Sequence, residues 1–353
     1  MNLFQILETT GHEKVFFCRD EKAGLRAIIA IHNAGFGAAM GATRLWPYAS
    51  EIDALRDVLR LSRGMTYKAA CANIPVGGGK GVIIARPEEK TGELLKAYGR
   101  FVDSLNGSFI TGQDVNLTPR DVRQIRQETR YVVGADEKSG GPALLTALGV
   151  LQGIRAAVRY RLGRRDLYRL KVAIQGLGNV GKNLCRLLHE QGAELIVSDV
   201  DEARTEEMTR LYEAAAVEPD QIFSRDADVF SPCALGGVLN GTTIPRLKAS
   251  IIAGCANNQL EDEQADSHGL KQKGILYCPD YVINAGGLIN VYHEMIGYEE
   301  EKALSHVDRI HDTLLEIFEK AEREGITTHE AAHRLGESRI AETAPNETGS
   351  RLN

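Results

Sequence analysis

The stretch that decides the fold is Lys171–Gly181 (KVAIQGLGNVG), followed after a helical segment by Glu194–Asp199 (ELIVSD). The first stretch is an apolar strand that leads into the pattern Gly176-x-Gly178-x-x-Gly181, and the second is an apolar strand that ends in an acid. This order of strand, glycine-rich turn, helix and acid-terminated strand is that of a dinucleotide-binding βαβ unit. The sequence therefore predicts a Rossmann-type, doubly wound α/β domain that holds a diphosphate at the N-terminus of the helix.

The residues around the glycines indicate which dinucleotide is bound. Asp199 lies about 20 residues after them, where an acidic side chain hydrogen-bonds a ribose 2′-OH and repels a 2′-phosphate. We therefore expect NAD rather than NADP. Leu177, Asn179 and Val180 stand between the glycines, in the turn and at the start of the helix, and they are predicted to contact the cofactor as well.

Length and composition bound the class of protein. The chain has 353 residues, a length that favours two domains. It is 43% hydrophobic and 25% charged, which is typical of a soluble globular protein, and it carries a net charge of −6. The negative charge and the lack of a basic cluster argue against nucleic-acid binding, and no apolar run reaches transmembrane length. The six cysteines are scattered without a Cys-x-x-Cys pattern, which indicates neither disulfides nor a metal site. We expect a cytoplasmic enzyme, since the N-terminus shows no signal pattern.

The position of the glycine pattern in mid-chain predicts the domain organisation. Apolar strands and amphipathic helices also alternate before it, so the first part of the chain is expected to be an α/β domain of its own. We place a substrate and oligomerisation domain at residues 1–138 and the NAD-binding domain at residues 139–325. The helical segment at about 325–345 is predicted to return to the first domain. The first domain should then supply substrate-binding and catalytic groups to a cleft between the two domains.

Two lysines of the first domain are candidates for the chemistry. Lys68 follows a helix predicted over residues 51–65, and Lys80 follows three glycines and precedes a strand predicted over residues 82–85. The glycines leave room for backbone and ligand to approach the lysine. A Walker phosphate loop would need Ser or Thr where Gly81 stands. We therefore interpret the lysines as a pair facing the cleft, one binding a carboxylate and the other acting as a neutral donor or base at the reacting carbon.

Asp114 is the candidate acid, because it follows the apolar run Phe109–Thr111 at the end of a predicted strand, where α/β active-site groups gather. Alone, such an acid is also typical of a turn. Two other functions remain to be weighed. A 2-hydroxy-acid dehydrogenase would need a His–carboxylate pair, but His32 and His189 lie in a predicted strand and a predicted helix and indicate structural roles. A non-catalytic NAD-binding regulator would need neither Lys80 nor Asp114.

The order of these motifs resembles the glutamate/leucine/phenylalanine/valine dehydrogenase family over nearly the whole chain. Besides the glycine pattern, the resemblance rests on Gly41–Arg44 (GATR), Met65–Lys68 (MTYK), Gly77–Lys80 (GGGK), Gln113–Val115 (QDV), Pro232–Gly236 (PCALG), Ala256–Gln259 (ANNQ) and Pro279–Gly287 (PDYVINAGG). Within the family it is most similar to the leucine dehydrogenase branch, in particular to the cyanobacterial tryptophan dehydrogenases. The resemblance implies a homo-oligomer built on a dimer, and reversible oxidative deamination: an L-amino acid, NAD⁺ and water give a 2-oxo acid, ammonia and NADH.

The resemblance also implies a role for each matched residue. Lys68 would bind the substrate α-carboxylate, and Asn258 would lie near the substrate amino group. Lys80 would polarise the carbonyl or activate the attacking water, and Asp114 would carry protons to and from the amino group. The implied cofactor contacts are Thr146 and Asn284 at the nicotinamide end and Cys233, Ala234, Cys255, Ala256 and Asn257 near the ribose.

The residues expected around the substrate side chain are apolar or small. The predicted substrate contacts, besides the lysine and the asparagine, are Met40, Gly41, Met65, Ala69, Ile74, Leu288, Ile289 and Tyr292. Met40 stands where glutamate dehydrogenases place a cationic group, so a buried distal carboxylate would lack a partner and glutamate is disfavoured. Gly112 stands where leucine dehydrogenases usually have alanine, which opens the site slightly. We therefore expect a bulky apolar substrate, tryptophan first and phenylalanine next, with leucine or another branched-chain amino acid as the alternative.

Overall fold

The computed structural model describes residues 3–35, 37–134 and 141–343. The chain divides into two compact units, which span Met1–Glu137 with Gly336–Asn353, and Lys138–Leu335. The domain boundary predicted between residues 138 and 139 lies outside the described residues. The last segment of the chain, from Gly336 on, groups with the first unit. One of its contacts is made by Arg339, whose guanidinium donates to the carbonyl of Cys71 at 2.7 Å.

Within the described residues, the first unit is built on a mixed sheet of six strands. Its elements are α1 (Leu3–Thr10), β1 (Lys14–Asp20), β2 (Leu25–Asn33), β3 (Ala39–Met40), β4 (Thr43–Trp46), α2 (Glu51–Cys71), β5 (Gly77–Ile84), α3 (Gly92–Ser104), β6 (Phe109–Ile110) and α4 (Pro119–Ile125). The strand order is β1-β2-β5-β3-β6, and β4 also pairs with β5. The pairs β1·β2 and β2·β5 are antiparallel, whereas β3 and β4 run parallel to β5.

Helix α2 covers one face of this sheet. Ser50 caps its N-terminus by accepting a hydrogen bond from the backbone N–H of Asp53, as short hydroxyl side chains do at helix starts. Its apolar residues at helical spacing, such as Leu55 and Val58, pack with Val82 and Ile84 in one buried cluster. The helix ends at Cys71, six residues after the predicted end at residue 65. Lys68 therefore lies in its last turn.

Within the described residues, the second unit is built on a parallel sheet of six strands. Its elements are α5 (Pro142–Leu162), β7 (Lys171–Gln175), α6 (Asn179–Glu190), β8 (Glu194–Ser198), α7 (Glu202–Tyr212), β9 (Ala215–Ala216), β10 (Val229–Pro232), β11 (Ile251–Ile252), α8 (Glu263–Gln272), β12 (Leu276–Tyr277), α9 (Asp280–Ile283), α10 (Gly286–Ile296), α11 (Glu300–Glu324) and α12 (Thr328–Thr343), the last helix ending in the first unit. The strand order β9-β8-β7-β10-β11-β12 is that of a dinucleotide-binding Rossmann sheet. The predicted fold class is confirmed.

The long helical segment near the C-terminus consists of two helices. Gly325 ends α11 in the left-handed conformation, with φ 66°, and its backbone N–H donates to helix carbonyls, which is the usual way for a helix to stop. No helix within the described ranges combines the length and the apolar character that a membrane crossing requires. All six cysteines lie in the described ranges, and none of them forms a disulfide.

Candidate active site

Strand β5, which carries Lys80, begins at Gly77, five residues before the predicted start at residue 82. The glycines are required by packing within the protein. A Cβ added at Gly77 would lie 1.8 Å from the carbonyl oxygen of Asn33, and one added at Gly78 would lie 2.2 Å from the backbone nitrogen of Thr66 on α2. Helix and strand therefore touch backbone to backbone, two residues before Lys68 on the helix and two residues before Lys80 on the strand.

Lys80 is buried in the middle of the sheet, with 6% of its surface exposed. Its ammonium nitrogen Nζ lies 2.8 Å from Oδ2 of Asp114. The segment that carries Asp114 is tied to β4, because Gln113 forms a bridge with Thr43. The structure thus brings together the two residues that the sequence singled out for acid–base chemistry.

The carboxylate of Asp114 is held in its ionised form. Burial by itself raises its pKa, but the attraction of Lys80 and of Arg44, with a hydrogen bond from the backbone N–H of Val115, outweighs burial and holds the pKa well below the usual range. The sign follows from charge: a neighbouring cation favours the charged form of a carboxyl group. Asp114 is therefore ionised near neutral pH.

Three further residues extend this ion pair, and the sequence indicated no role for them. Arg44 lies between Asp114 and Asp57, and the hydroxyl of Tyr48 donates to Asp57 at 2.7 Å. Asp57 and Lys68 are 11 residues apart on α2, about three helical turns, so they lie on the same side of the helix. The spacing alone could have indicated that Asp57 and Lys68 share one side of the helix. The sequence could not have indicated the contact of Asp57 with Arg44, because Arg44 lies on a strand.

The predicted substrate contacts of the first unit are packed closely. Met40, Ala69 and Ile74 are 2%, 1% and 1% exposed, and Met65 is half-buried. Gly41 is wedged against β5, where an added Cβ would lie 1.7 Å from the carbonyl oxygen of Gly79. These positions carry no charge. Their contact with a substrate remains a prediction.

The glycine pattern of the second unit has the expected conformation. Gly176 has φ 95°, and a Cβ added at Gly181 would lie 2.1 Å from the carbonyl oxygen of Gly176, so the helix α6 packs tightly on the turn. At Gly178 an added Cβ would meet no atom within 4 Å among the described residues. Leu177, Asn179 and Val180 complete this turn and the first turn of α6. The open space beside Gly178 suits a group that approaches the backbone.

Asp199 lies at the end of β8, as predicted, but its carboxylate already has partners within the protein. Oδ2 accepts from the backbone N–H of Leu177 at 2.6 Å, and Oδ1 accepts from that of Asp201 at 2.9 Å. Nη1 of Arg204 lies 3.6 Å from Oδ2 of Asp199. Burial raises the pKa of Asp199, but these hydrogen bonds and the guanidinium lower it by more. Asp199 therefore shapes the glycine-rich turn, and its contact with a ribose remains a prediction.

The other predicted cofactor contacts gather at the carboxyl ends of the parallel strands. The backbone N–H of Cys233 donates to the carbonyl of Gln175, and a Cβ added at Gly176 would lie 2.7 Å from the Ala234 side chain. The backbone N–H of Ala256, which follows Cys255, donates to the carbonyl of Pro232. This edge is where parallel α/β sheets bind ligands.

Asn284 is held beside this edge with one polar atom left over. Its Nδ2 donates to the carbonyl of Cys255 at 3.1 Å and to Oδ1 of Asn257 at 2.8 Å. Its Oδ1 is buried and has no hydrogen-bond partner among the described residues. A buried acceptor without a donor is costly, so this atom is suited to a ligand amide. Thr146 is the fifth residue of α5, and its hydroxyl donates to the carbonyl of Pro142 one turn earlier.

The remaining predicted substrate contacts lie in the second unit. Leu288 and Ile289, on α10, are 7% and 0% exposed. Tyr292 is half-buried, and its ring meets the ring of His293 edge-on. Asn258 has a positive φ of 51° in the segment after β11. The structure therefore divides the predicted substrate contacts between the two units.

A Rossmann sheet and a separate α/β unit with a buried lysine–carboxylate pair define a two-domain dehydrogenase. Residues 12–131 match the model of the Glu/Leu/Phe/Val dehydrogenase dimerisation domain, and residues 140–203 and 197–348 match that of the Glutamate/Leucine/Phenylalanine/Valine dehydrogenases. The chain belongs to the glutamate/leucine/phenylalanine/valine dehydrogenase family, which confirms the family predicted from the motifs.

Individual relatives place the chain within that family. It is 65% identical over 340 residues to an L-tryptophan dehydrogenase of Nostoc punctiforme, covering 96% of each chain. It is 47% identical over 346 residues to a leucine dehydrogenase of Geobacillus stearothermophilus, covering 96% of this chain and 94% of the relative. The crystal structure of the L-tryptophan dehydrogenase from Nostoc punctiforme superposes with a TM-score of 0.87 at 62% identity, covering 97% and 99% of the two chains.

Proposed function

We propose that this protein catalyses the NAD-dependent, reversible oxidative deamination of an L-amino acid with a bulky apolar side chain, tryptophan first and phenylalanine next. The observation that carries the proposal is the buried pair of Lys80 and Asp114, whose charged atoms are 2.8 Å apart. It lies in a unit that also carries Lys68, in a chain of the amino-acid dehydrogenase family. A non-catalytic NAD-binding protein would have no need of a buried ion pair in that unit.

The chemistry follows from the charges. Loss of a hydride from the α-carbon leaves an iminium ion, which one water molecule converts to the 2-oxo acid and ammonia. Asp114 is ionised and accepts a proton from the substrate amino group. Lys80, once it has given up its own proton, accepts one from the attacking water. Lys68 binds the substrate carboxylate through its positive charge. The carboxylate is thereby held in place, and the adjacent α-carbon is the atom that reacts.

The second unit fits NAD. Backbone N–H groups at the start of α6, the open space beside Gly178 and the helix N-terminus suit the diphosphate. The unpartnered Oδ1 of Asn284 suits the N–H of the nicotinamide carboxamide. The carboxylate of Asp199 beside the turn disfavours a 2′-phosphate. When bound, the oxidised nicotinamide supplies the hydride acceptor.

The substrate class is supported by the relatives and by the lack of charge at Met40, Ala69 and Ile74. An acidic substrate side chain would be buried there without a cation, which costs several kcal/mol. The similarity to an L-tryptophan dehydrogenase at 65% identity favours an aromatic substrate over the leucine class at 47%. Leucine or another branched-chain amino acid is the second candidate.

The test is NAD⁺ reduction at alkaline pH with tryptophan, phenylalanine, leucine, valine and glutamate. We expect the highest kcat/KM with tryptophan or phenylalanine and none that is measurable with glutamate. Preference for leucine or valine would keep the enzyme class and overturn the aromatic substrate. No turnover with any of the five would overturn the enzymatic function in favour of a non-catalytic NAD-binding protein.

The cofactor site is tested by a substitution that the fold tolerates. In Gly178→Ala the new methyl group meets no atom of the described residues within 4 Å, but it occupies the space through which the diphosphate reaches the backbone. We expect the Kd for NADH to rise about tenfold, equivalent to about 1.4 kcal/mol, with Tm unchanged. Gly241→Ala, also in open space, is the matched control and should change neither quantity. Unchanged NADH binding in Gly178→Ala would place the diphosphate elsewhere.

The substrate pocket is tested at Leu288. Leu288→Ala removes three carbons from a residue that is 7% exposed, so we expect the ratio of kcat/KM between tryptophan and leucine to change about tenfold or more. Leu270→Ala on α8, where the leucine is 1% exposed, should lower Tm comparably and leave the ratio unchanged. Equal ratios in both variants would remove Leu288 from the pocket.

We further propose that the protein is a homo-oligomer, at least a dimer, that acts on small molecules in the cytoplasm. The match of residues 12–131 to a domain described as a dimerisation domain supports self-association. Six cysteines that form no disulfide suit a reducing compartment. Multi-angle light scattering of the purified chain should give at least twice the monomer mass of 38.6 kDa.

A further inference from the structure

Arg44 connects the acid–base pair to helix α2. It lies on β4 in register with Val82 of β5, two residues along that strand from Lys80. Its Nε is 3.3 Å from Oδ2 of Asp114, and its Nη1 is 3.0 Å from Oδ2 of Asp57. A guanidinium stays charged and presents its donors in one plane, so it sets the position of both carboxylates.

The far end of this connection is also fixed. Oδ2 of Asp57 accepts from the hydroxyl of Tyr48 at 2.7 Å as well as from Arg44. Burial, and then the hydrogen bond to Asp57, raises the pKa of Tyr48 well above its usual range, so the hydroxyl remains a donor. Arg60 lies 3.6 Å from the other oxygen of Asp57 and is largely exposed. Asp57 is 16% exposed in its side chain and therefore little screened by solvent.

The charges around the acid–base pair alternate. Lys80 and Arg44 contact the same oxygen of Asp114, at 2.8 and 3.3 Å, so the two cationic groups lie within about 6 Å of each other. Asp57 then stands on the far side of Arg44. The side chains of Arg44 and Asp114 are each 23% exposed, and at that burial a charge acts strongly on its neighbours.

We propose that Arg44 is a positioning residue for the deamination: it aligns the carboxylate of Asp114 on Lys80, and its charge, held in place by Asp57 and Tyr48, favours loss of a proton from the Lys80–Asp114 pair. This inference rests on the proposed function. The sign follows from Coulomb's law, because a cation beside the pair opposes a second positive charge there. Asp57 weakens the same effect, since it places a negative charge beyond the guanidinium.

The experiment compares Arg44→Gln, Arg44→Lys and Asp57→Asn, with Arg56→Gln on the exposed side of α2 as the control. In Arg44→Gln we expect kcat to fall about 10- to 100-fold with the KM for NAD⁺ unchanged. The ascending limb of the pH profile of kcat/KM should move to higher pH by about half a unit to one unit. Arg44→Lys retains the positive charge, so the ascending limb of its pH profile should lie at the wild-type pH, although its kcat should stay below that of the wild type. Asp57→Asn should move the limb in the opposite direction, to lower pH.

Opposite shifts in Arg44→Gln and Asp57→Asn support the proposal, because a loss of fold would lower the activity of both variants without moving their limbs apart. The proposal is overturned if the ascending limb lies at the same pH in every variant. It is also overturned if Arg44→Gln and Asp57→Asn move the limb in the same direction. Thermal unfolding of each variant identifies any that fails to fold, in which case Arg44→Lys and Asp57→Asn carry the comparison.

A readout without turnover separates this inference from the proposed function. Acetic anhydride reacts with unprotonated lysine, so acetylation of Lys80 across pH, quantified by mass spectrometry, follows protonation of the pair directly. We expect the midpoint to move to higher pH in Arg44→Gln and to lower pH in Asp57→Asn. A midpoint that does not move overturns the role of Arg44 even if the enzyme deaminates tryptophan. Absence of turnover with a moving midpoint overturns the proposed function alone.

Discussion

Lys80→Met should nearly abolish the formation of NADH from an amino acid, with kcat reduced about 10²- to 10⁴-fold, the usual contribution of a positioned acid or base. Methionine retains the length and apolar stem of the lysine, so the packing of β5 is preserved while the proton-carrying nitrogen is lost. Asp114 keeps Arg44 as a partner at 3.3 Å and is not left as an unpaired buried charge. The measurement is steady-state turnover at saturating NAD⁺ and amino acid.

The matched control for this experiment is Lys96→Met, since Lys96 lies on α3 in a partly exposed ion pair with Glu93. It should turn over at the wild-type rate. NADH binding, followed by fluorescence, should be the same in wild type and both variants, because the glycine-rich turn lies in the other unit. A Lys80→Met enzyme with more than about a tenth of wild-type kcat would show that the nitrogen is not required for proton transfer.

Gly78→Ala should destabilise the first unit severely, by about 3 kcal/mol or more, the upper range for overpacking a core. The new Cβ would lie 2.2 Å from the backbone nitrogen and 2.2 Å from the hydroxyl of Thr66, and 2.6 Å from the carbonyl oxygen of Ser62. Backbone atoms of a helix cannot move aside cheaply, so helix and strand must separate. Urea unfolding measures the loss as a lower midpoint.

Gly64→Ala is the matched control, because it lies on the same helix and its Cβ would meet no atom within 4 Å among the described residues. It should stabilise the protein by about 0.5–1 kcal/mol, since alanine restricts the unfolded chain and favours the helix. Similar midpoints for the two alanine variants would mean that α2 and β5 are not held together at Gly78.

The sequence predicted the second unit more completely than the first. In the second unit, apolar strands, a glycine pattern and helices alternate in a known order. The two-residue strand β9 is the step without a signal of its own. In the first unit, the beginning of β5 consists of glycines, which give no alternation of polar and apolar side chains. The strand was therefore predicted from residue 82 although it begins at Gly77. Strand β3 has two residues, too few for any periodicity, whereas β6 was predicted from the apolar run Phe109–Thr111.

The candidate site shows the same limit. Lys80 and Asp114 were identified because each follows a local pattern, and the structure brings them together. The role of Arg44 could not be identified in this way. Its partners lie 13 and 70 residues away along the chain, and contacts of that kind depend on how strands and helices are arranged in space. The helical spacing of Asp57 and Lys68 was the one indication in the sequence that Asp57 lies on the same side of α2 as a candidate site residue.

The close packing around the glycines of β5 has a consequence for mutational scanning and for enzyme engineering. Positions 77–79 and 81 have no side chain to do chemistry, yet each is bounded by atoms within 2.8 Å of a new Cβ. In a library scored by activity alone, these positions would be as intolerant as the catalytic lysine. Measuring the abundance of each variant as well as its activity would distinguish the glycines from the lysine, because only substitutions at the glycines would lower the amount of folded protein. Libraries for a new substrate should therefore leave this segment unchanged and diversify residues elsewhere.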